Sequence, residues 1–446
     1  MSKIARSAAS FSNLTTALLI FLIPTPILFQ NIGIEVPLSF FLLSFTTSFF
    51  LLREFIRGNN NAIIYSTLIF TILFFLIAPQ LQLTKNPHIM VNTAPVSETS
   101  AVYANVLITI FILFLITSCD FFSKKIPETK STQNLIHEKY PILTLTLLSI
   151  SIAIYAIYDT NTSPLTEIDS QGLTYTALKH KIIYFIPFVT LALAILSKTP
   201  PHRKLFLFLI LFICVLATKN HLNERRNAIG PVYLTLLILI FPQIINEGKR
   251  FFFFLFAIMI AAFPAASLLT HKYSDSNEID LSSLISAITD HFTQLHYDAW
   301  ANIVTTIEIT RAHGFSLGEQ VSGSLFFFIP RALWESKPHP TGLVIGDYLS
   351  INHRMWFNNL SAPIISEGYI DFGFLGVILF AVGGGYLCAK AKKIANSGRS
   401  THIILYTYTS FFAFFILRGA LLPATVYFFG ALVAIYAIPK ILKRLP

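Results

Sequence analysis

The sequence predicts an all-α membrane protein, a polytopic bundle of about twelve transmembrane helices with a large helical loop capping one face. Three observations predict it. Of 446 residues, 54% are hydrophobic and only 12% are charged, where soluble domains carry roughly a quarter charged residues. Apolar runs of spanning length recur along almost the whole chain, each near the roughly 20 residues a bilayer helix needs. One connection, 271–362, is far longer than an ordinary link, and such loops usually carry function.

The run 12–30 follows Lys3 and Arg6, with no small-residue cleavage site after it, so it is expected to stay as a helix rather than leave as a signal peptide. The runs 36–52, 62–83, 101–119 and 140–158 are unbroken and bounded by Arg53 and Arg57, or by Lys124 and Lys125. The shortest, 182–197 and 205–218, borrow flanking residues or thin the bilayer locally. The runs 229–246 and 251–270 complete a first block, 1–270, of nine spans. After the loop 271–362 come 363–389, 402–417 and 423–439, so 363–446 holds the last three spans of a single integrated membrane unit. Gly383, Gly384 and Gly385 lie inside a span, where small residues permit close helix packing. No internal repeat of the transporter kind is visible.

The net charge of +10 comes as short clusters between apolar segments. That is topology signalling rather than a nucleic-acid surface, so no nucleic-acid partner is expected. With the N-terminus cytoplasmic, the inward segments hold most of the Lys and Arg, including Arg53, Arg57, Lys124, Lys125, Lys249, Arg250, Lys390, Lys392, Lys393, Lys440 and Lys443. Both termini then lie inside, which requires an even number of spans. The outer segments are the exception that suggests a task. They hold Arg225, Arg226, Arg331, Lys337, Arg354 and Arg418, and cations against the rule suit an anion such as a lipid-linked pyrophosphate. Within 271–362, the stretch LSSLISAITDHFTQLHYDAWANIVTTIEITRA has apolar residues at three- and four-residue spacing, which predicts one or two amphipathic helices. GSLFFFIPRALW is suited to dip into the bilayer interface. All three tryptophans, Trp300, Trp334 and Trp356, fall in this loop, and tryptophan favours headgroup level. A structured cap on the membrane face is expected.

Several constellations could carry chemistry. Arg225 and Arg226, in NERRN, sit at a helix boundary where paired arginines and a helix N-terminus can grip phosphate; a solvated loop with Glu224 is the plainer alternative. In IPRALWESKPHP, the prolines at 330, 338 and 340 fix a rigid turn that pre-places Arg331, Trp334, Lys337 and His339 and so loses less entropy on binding; interfacial anchoring is the alternative. His353 and Arg354 follow in SINHRMWFNN, with Asn358 as a further binding candidate. His353 has the pKa range to accept a proton from a sugar hydroxyl. Glu367 and Asp371, four apart, share one helical face. A membrane-embedded acid needs a partner, for which Arg354, Arg331 and Arg418 are the candidates; an ion pair pinning cap to bundle is the structural alternative. Arg418 closes a span in ILRGALLPA, with snorkelling as its alternative.

The sequence lacks phosphate-binding and dinucleotide glycine loops, a DxD motif, HExxH and Cys/His metal spacing. No metal or other cofactor is expected. Cys119, Cys214 and Cys388 read as free small hydrophobes, and Glu35 as an incidental carboxylate.

PRALWESKP followed by SAPIISEGYIDFGFLG, with the basic ERRN turn and one large late outer loop, resembles the bacterial O-antigen and oligosaccharide-repeat-unit polymerases of the Wzy type. The topology resemblance covers nearly the whole chain, the motifs about fifty residues. It implies a metal-independent glycosyltransferase of the bacterial inner membrane with a periplasmic site. The growing glycan would pass from its undecaprenyl pyrophosphate to the non-reducing end of an incoming lipid-linked unit. Arg225, Arg226, Arg331 and Arg354 would hold pyrophosphates, Arg418 and Lys337 assist, and His353 or Glu367 take the acceptor proton. The implied partners are lipid-linked donor and acceptor, membrane lipids, a chain-length regulator and a flippase. Two alternatives stand beside it. O-antigen ligases share the architecture, but their Thr-Gly-Ser-Arg-like turn and His-Asn pair are NERRN and NHRMWF here. A transporter or flippase would carry polar residues across the midplane, where these spans are apolar.

Overall fold

Long apolar runs cannot leave backbone groups unpaired in lipid, so they close them internally as helices. In the computed structural model, which describes residues 3–127, 140–162, 181–220, 226–262 and 289–443, every regular element is a helix apart from one isolated bridge between Ile89 and Pro95. The helices are α1 (Lys3–Phe21), α2 (Glu35–Arg57), α3 (Ala62–Lys85), α4 (Glu98–Lys125), α5 (Ile142–Thr162), α6 (Ile183–Leu196), α7 (Pro201–Thr218) and α8 (Arg226–Ile240). They continue with α9 (Gly248–Ala257, prolonged by a π turn to Ala262), α10 (Ala299–His313), α11 (Glu319–Leu325), α12 (Thr341–His353), α13 (Ile364–Ala395), α14 (Ser400–Arg418) and α15 (Leu421–Leu442). Among the described residues nine helices are long and apolar enough to cross a membrane. The shorter apolar α6 and α8 stand where two further spans were expected, as does α9. Residues 163–180, the end of the expected span 251–270 from 263 onward, and residues 271–288 of the long loop lie outside the described residues.

Helix α14 is the wall between two apolar cores. Tyr406, Phe411, Ala413 and Leu417 face a core built with α2, α3, α4 and α10, while Ile404, Tyr408, Phe412 and Phe415 face one built with α6, α7, α8 and α15. Helix α3 is the central element, with nearly all of its span buried, and it carries a π segment over Thr71–Ile77. Helices α4 and α13 pack closely. A Cβ on Gly385 would lie 2.0 Å from Ser118 Oγ and 2.5 Å from Leu115 O, whereas Gly383 faces open space. Only one of the three consecutive glycines is therefore needed for close approach. Cys119, Cys214 and Cys388 are buried and free.

Helix α13 is not one rod. Phe372 (φ −136°, ψ 16°) and Gly373 (φ 59°, ψ −142°) break it into limbs 364–371 and 374–395. In a continuous helix, positions 368 and 376 would stand about 12 Å apart. Here a Cβ on Gly376 would fall 1.9 Å from Gly368 O, so the first limb folds back on the second. The limb 374–395, about 33 Å long, is by itself long enough to span a bilayer. Because backbone must yield, Gly376→Ala is expected to destabilise by about 1–3 kcal/mol, the range for overpacking. Thermal unfolding of the purified protein in detergent would measure it, with Gly383→Ala as the neutral comparison.

The bundle has two chemically distinct ends. At one, Arg53 and Arg57 both pair with Asp120 (2.9 and 2.8 Å), Tyr406 Oη accepts from Ala62 N at 2.8 Å, and Lys393 Nζ donates to Ile126 O. The expected inward-facing Lys and Arg of α2, α4 and α13 thus meet at one end. At the other, Glu98 accepts from Gly33 N at 2.9 Å, Arg311 donates to Ser100 Oγ at 2.8 Å, and Gln82 Nε2 donates to the Phe292 and Tyr297 carbonyls at 3.1 Å. The segment 289–362 sits here.

It is more deeply set than expected. Helix α10 is buried from Ala299 through Ile307, and Trp300, expected at headgroup level, is 1% exposed and donates Nε1 to Asn105 Oδ1 at 2.8 Å. The reason is that its polar residues are satisfied by protein rather than water. Asn92 Nδ2 bonds Asn302 Oδ1 (2.9 Å) and Thr305 Oγ1 (3.0 Å), and Thr305 and Thr306 donate back to their own helix. A pattern of apolar and polar residues does not distinguish these two outcomes.

Candidate functional site beneath the cap helices

Asp298 immediately precedes α10 and is 1% exposed. A buried carboxylate must be paired or hydrogen-bonded, and this one is both. Its Oδ1 accepts from Ser361 Oγ (2.7 Å) and Arg418 Nη2 (3.0 Å), and its Oδ2 from Asn302 Nδ2 (2.9 Å) and Ser361 N (3.2 Å). Arg418 ends α14 with its side chain 27% exposed, and its Nε has no hydrogen-bond partner among the described residues. The buried Tyr297 hydroxyl also has none. Burial pushes that hydroxyl's pKa up, opposed by the Arg418 charge nearby. An aromatic wall stands beside the pair. Tyr297 is 4.8 Å from Phe74, which stacks on Phe70 at 4.4 Å, and Phe70 meets Phe414 at 5.7 Å, one turn before Arg418. The π segment of α3 therefore presents Phe74 to the site, and π segments recur at functional positions.

Glu367, 1% exposed in the first limb of α13, has no arginine partner among the described residues. Oε2 accepts from Thr341 Oγ1 at 2.6 Å and Oε1 from Leu421 N at 2.6 Å. It joins the starts of α12 and α15 to α13. Asp371 accepts from Gln320 N (3.1 Å) and Val321 N (2.8 Å), capping the first turn of α11. The alternative ion pair is not made by either acid among the described residues; a hydroxyl and backbone N–H groups tie α11, α12 and α15 to α13 instead.

The predicted cations divide. Arg331 turns into its own loop, giving Nη1 to Lys337 O (2.6 Å) and Nη2 to Pro338 O (3.1 Å), with His339 Nδ1 at 3.4 Å. Lys337 Nζ donates to Phe327 O (2.7 Å) and Ile329 O (2.8 Å), and burial with the Arg331 charge lowers its pKa. Trp334 is half-buried and gives Nε1 to Ser336 Oγ at 3.1 Å. Arg354 closes α12 at φ 55° and is exposed. His353 lies beside it, its carbonyl accepting from Thr93 Oγ1 at 3.0 Å and its ring 6.0 Å from Tyr348. Asn358 donates to Asp347 Oδ1 at 3.1 Å. Arg225 lies outside the described residues, as does the side chain of Arg226, which opens α8. The chain thus brings Arg331, Arg354, Arg418 and Glu367 to one end of the bundle: Asp298, Asn302, Asn92 and Thr93 run from Arg418 to the His353 carbonyl beside Arg354, Thr341 holds Glu367, and Arg331 bonds within its own loop.

Sequence reasoning missed Asp298, Tyr297, Asn302, Ser361 and Thr341. Asp298 carries a signal as a helix-preceding acid, but such an acid is ordinarily solvated, and nothing local shows that Arg418 covers it.

Glu308, on α10, is a further carboxyl at this end, half-buried. Burial raises its pKa, with Arg311 and bonds from Ser97 and Ser100 opposing. Below the unfolded carboxylate range, near pH 4.3, both states are protonated and the group costs nothing. As pH rises through the raised folded value, the native state must ionise a buried acid and loses stability. Glu308→Gln is therefore expected to gain thermal stability over the native chain as pH increases from about 4 to 8, read as the difference in Tm at each pH.

Against family models, curated proteins and solved structures, the chain shows no match.

Chemically, the arrangement offers, among the described residues, a guanidinium whose Nε lacks a hydrogen-bond partner, a hydroxyl without one, an exposed arginine on the same end and a buried carboxylate. Donors fixed in a place that water scarcely reaches stabilise charge that develops on a reacting oxygen.

Proposed function

We propose that the protein is a bacterial inner-membrane glycosyltransferase that polymerises undecaprenyl-pyrophosphate-linked oligosaccharide repeat units, with twelve spans, both termini cytoplasmic and the cap end periplasmic. The observation that carries the reading is the gathering of Arg354 and Arg418, distant in sequence, at the end opposite Arg53, Arg57 and Lys393. Transfer from a pyrophosphate needs chiefly cations aimed at the leaving group and positioning of the acceptor hydroxyl. In this reading Arg354 and Arg418 face pyrophosphate, joined by Arg225 and by Arg226, which opens α8. Arg331 and Lys337 shape the adjoining loop. His353 or Glu367 receives the acceptor proton.

Purified protein incubated with a lipid-pyrophosphate oligosaccharide is expected to give a ladder of longer lipid-linked glycans. Arg354→Ala and Arg226→Ala are expected to shorten or abolish it while the chain remains folded in the membrane. Normal ladders from both variants would overturn the reading. Glycan that moves only onto a lipid A–core acceptor would instead indicate a ligase, and no covalent product under any condition would favour transport.

A further inference from the structure

The irregular segment between α11 and α12 lies beside α15 rather than above it. The Phe327 ring is 5.4 Å from the Phe429 ring. At about 1.5 Å per residue, Phe429 is about 12 Å along α15 from Leu421. Helix α15 is a candidate span of 22 residues, close to the hydrocarbon thickness of about 30 Å. The segment therefore reaches well below the end of a spanning helix. It is folded back tightly, since a Cβ on Gly323 would lie 2.4 Å from Pro338 Cγ. Over residues 325–333 its outward face is apolar, while Glu335, Ser336 and His339 are exposed on the stretch that returns to α12. Leu325, Phe326, Phe328 and Leu333 are exposed, continuous through Phe327 with exposed Phe429 on the outer surface of α15.

Non-helical backbone survives at membrane depth only where its polar groups are satisfied by protein. Here partners for several of those groups are built in. Lys337 Nζ takes the Phe327 and Ile329 carbonyls, and Arg331 takes those of Lys337 and Pro338. Amides close on the same loop, Leu333 N and Trp334 N on Pro330 O, and Lys337 N on Trp334 O. The prolines at 330, 338 and 340 have no N–H to satisfy. We propose that residues 325–334 form a re-entrant loop seated in the hydrocarbon of the leaflet at the cap end, with lipid acyl chains against Leu325, Phe326, Phe328 and Leu333. Arg331 and Lys337 are its internal donors. In water these carbonyls would need no such donors. Acyl chains are the occupant because the apolar surface continues that of a membrane-spanning helix. The inference requires only that the chain crosses a membrane, and it stands or falls separately from the catalytic reading.

Spin labels on the full chain in phosphatidylcholine–phosphatidylglycerol nanodiscs test it. Labels at Phe328→Cys and Leu333→Cys are expected to collide more with oxygen than with a water-soluble nickel complex, and a label at exposed Asn359→Cys the reverse. Greater nickel than oxygen access at 328 and 333 would overturn the proposal. In a Lys337→Met background the label at 328 is expected to shift toward nickel access, because two carbonyls then seek water. An unchanged ratio would show that Lys337 is not what keeps the loop in lipid. Glycan-ladder activity in the same samples reads the catalytic proposal independently.

Discussion

Replacing Arg418 with Met will lower stability by about 3–5 kcal/mol, because it strands the Asp298 charge, 1% exposed, without its cation. The measurement is unfolding of the detergent-solubilised protein. Asp298→Asn in the same chain should recover much of the loss, since the amide still accepts from Ser361 and no longer carries charge. A Met variant as stable as the native chain would show that water reaching the 27%-exposed guanidinium, rather than the ion pair, sets the energy. Arg418→Lys separates stability from function. Lysine keeps a charge for Asp298 but not the Nε–H that lacks a partner among the described residues. Stability should stay near native, while ladder formation falls by the equivalent of one charge-assisted hydrogen bond, about 1.5–3 kcal/mol, or about ten- to a hundredfold. Equal activity would remove Nε from the binding machinery.

The second large effect is at Glu367. Glu367→Leu leaves the Leu421 N–H unpaired in a buried site, at about 1–3 kcal/mol. The Thr341 hydroxyl loses less, because Gln320 Oε1 already stands 3.3 Å away as an alternative acceptor. Glu367→Gln keeps one carbonyl oxygen for Leu421 N and turns its NH2 toward Thr341, so it should fold within about 1 kcal/mol of native, as for a satisfied hydrogen-bond exchange. If Glu367 accepts the sugar proton, the Gln variant folds and makes no ladder. If its task is to hold α12 and α15 against α13, Gln makes full ladders and only Leu fails. Thermal melting and product sizing on the same preparations distinguish the two.

The two acids of α13 show where local reading stops. Their spacing placed both on one helical face, and both are buried. The search for partners among arginines failed because backbone amides at the starts of α11 and α15 do the same work, and amides are invisible as a residue type. Arg331 shows the converse. Its proline-rich surroundings correctly suggested a rigid turn, but a guanidinium in such a turn can face a ligand or its own carbonyls, and the sequence is the same for both. Trp300 was misplaced because tryptophan's preference for the interface yields when an interior partner, here Asn105, satisfies the indole N–H.

By itself the sequence determined the helical class, the placement of the apolar segments and the segregation of cations between alternate connections. These follow from bilayer thickness and the price of charge in lipid, which act on each segment separately. Only the tertiary structure decided that segment 289–362 enters the bundle, that α13 breaks at Gly373, and that Asp298 rather than Glu367 answers Arg418. Those outcomes depend on which polar groups meet across the fold, from stretches over a hundred residues apart, where each carries several equally possible partners until packing leaves one.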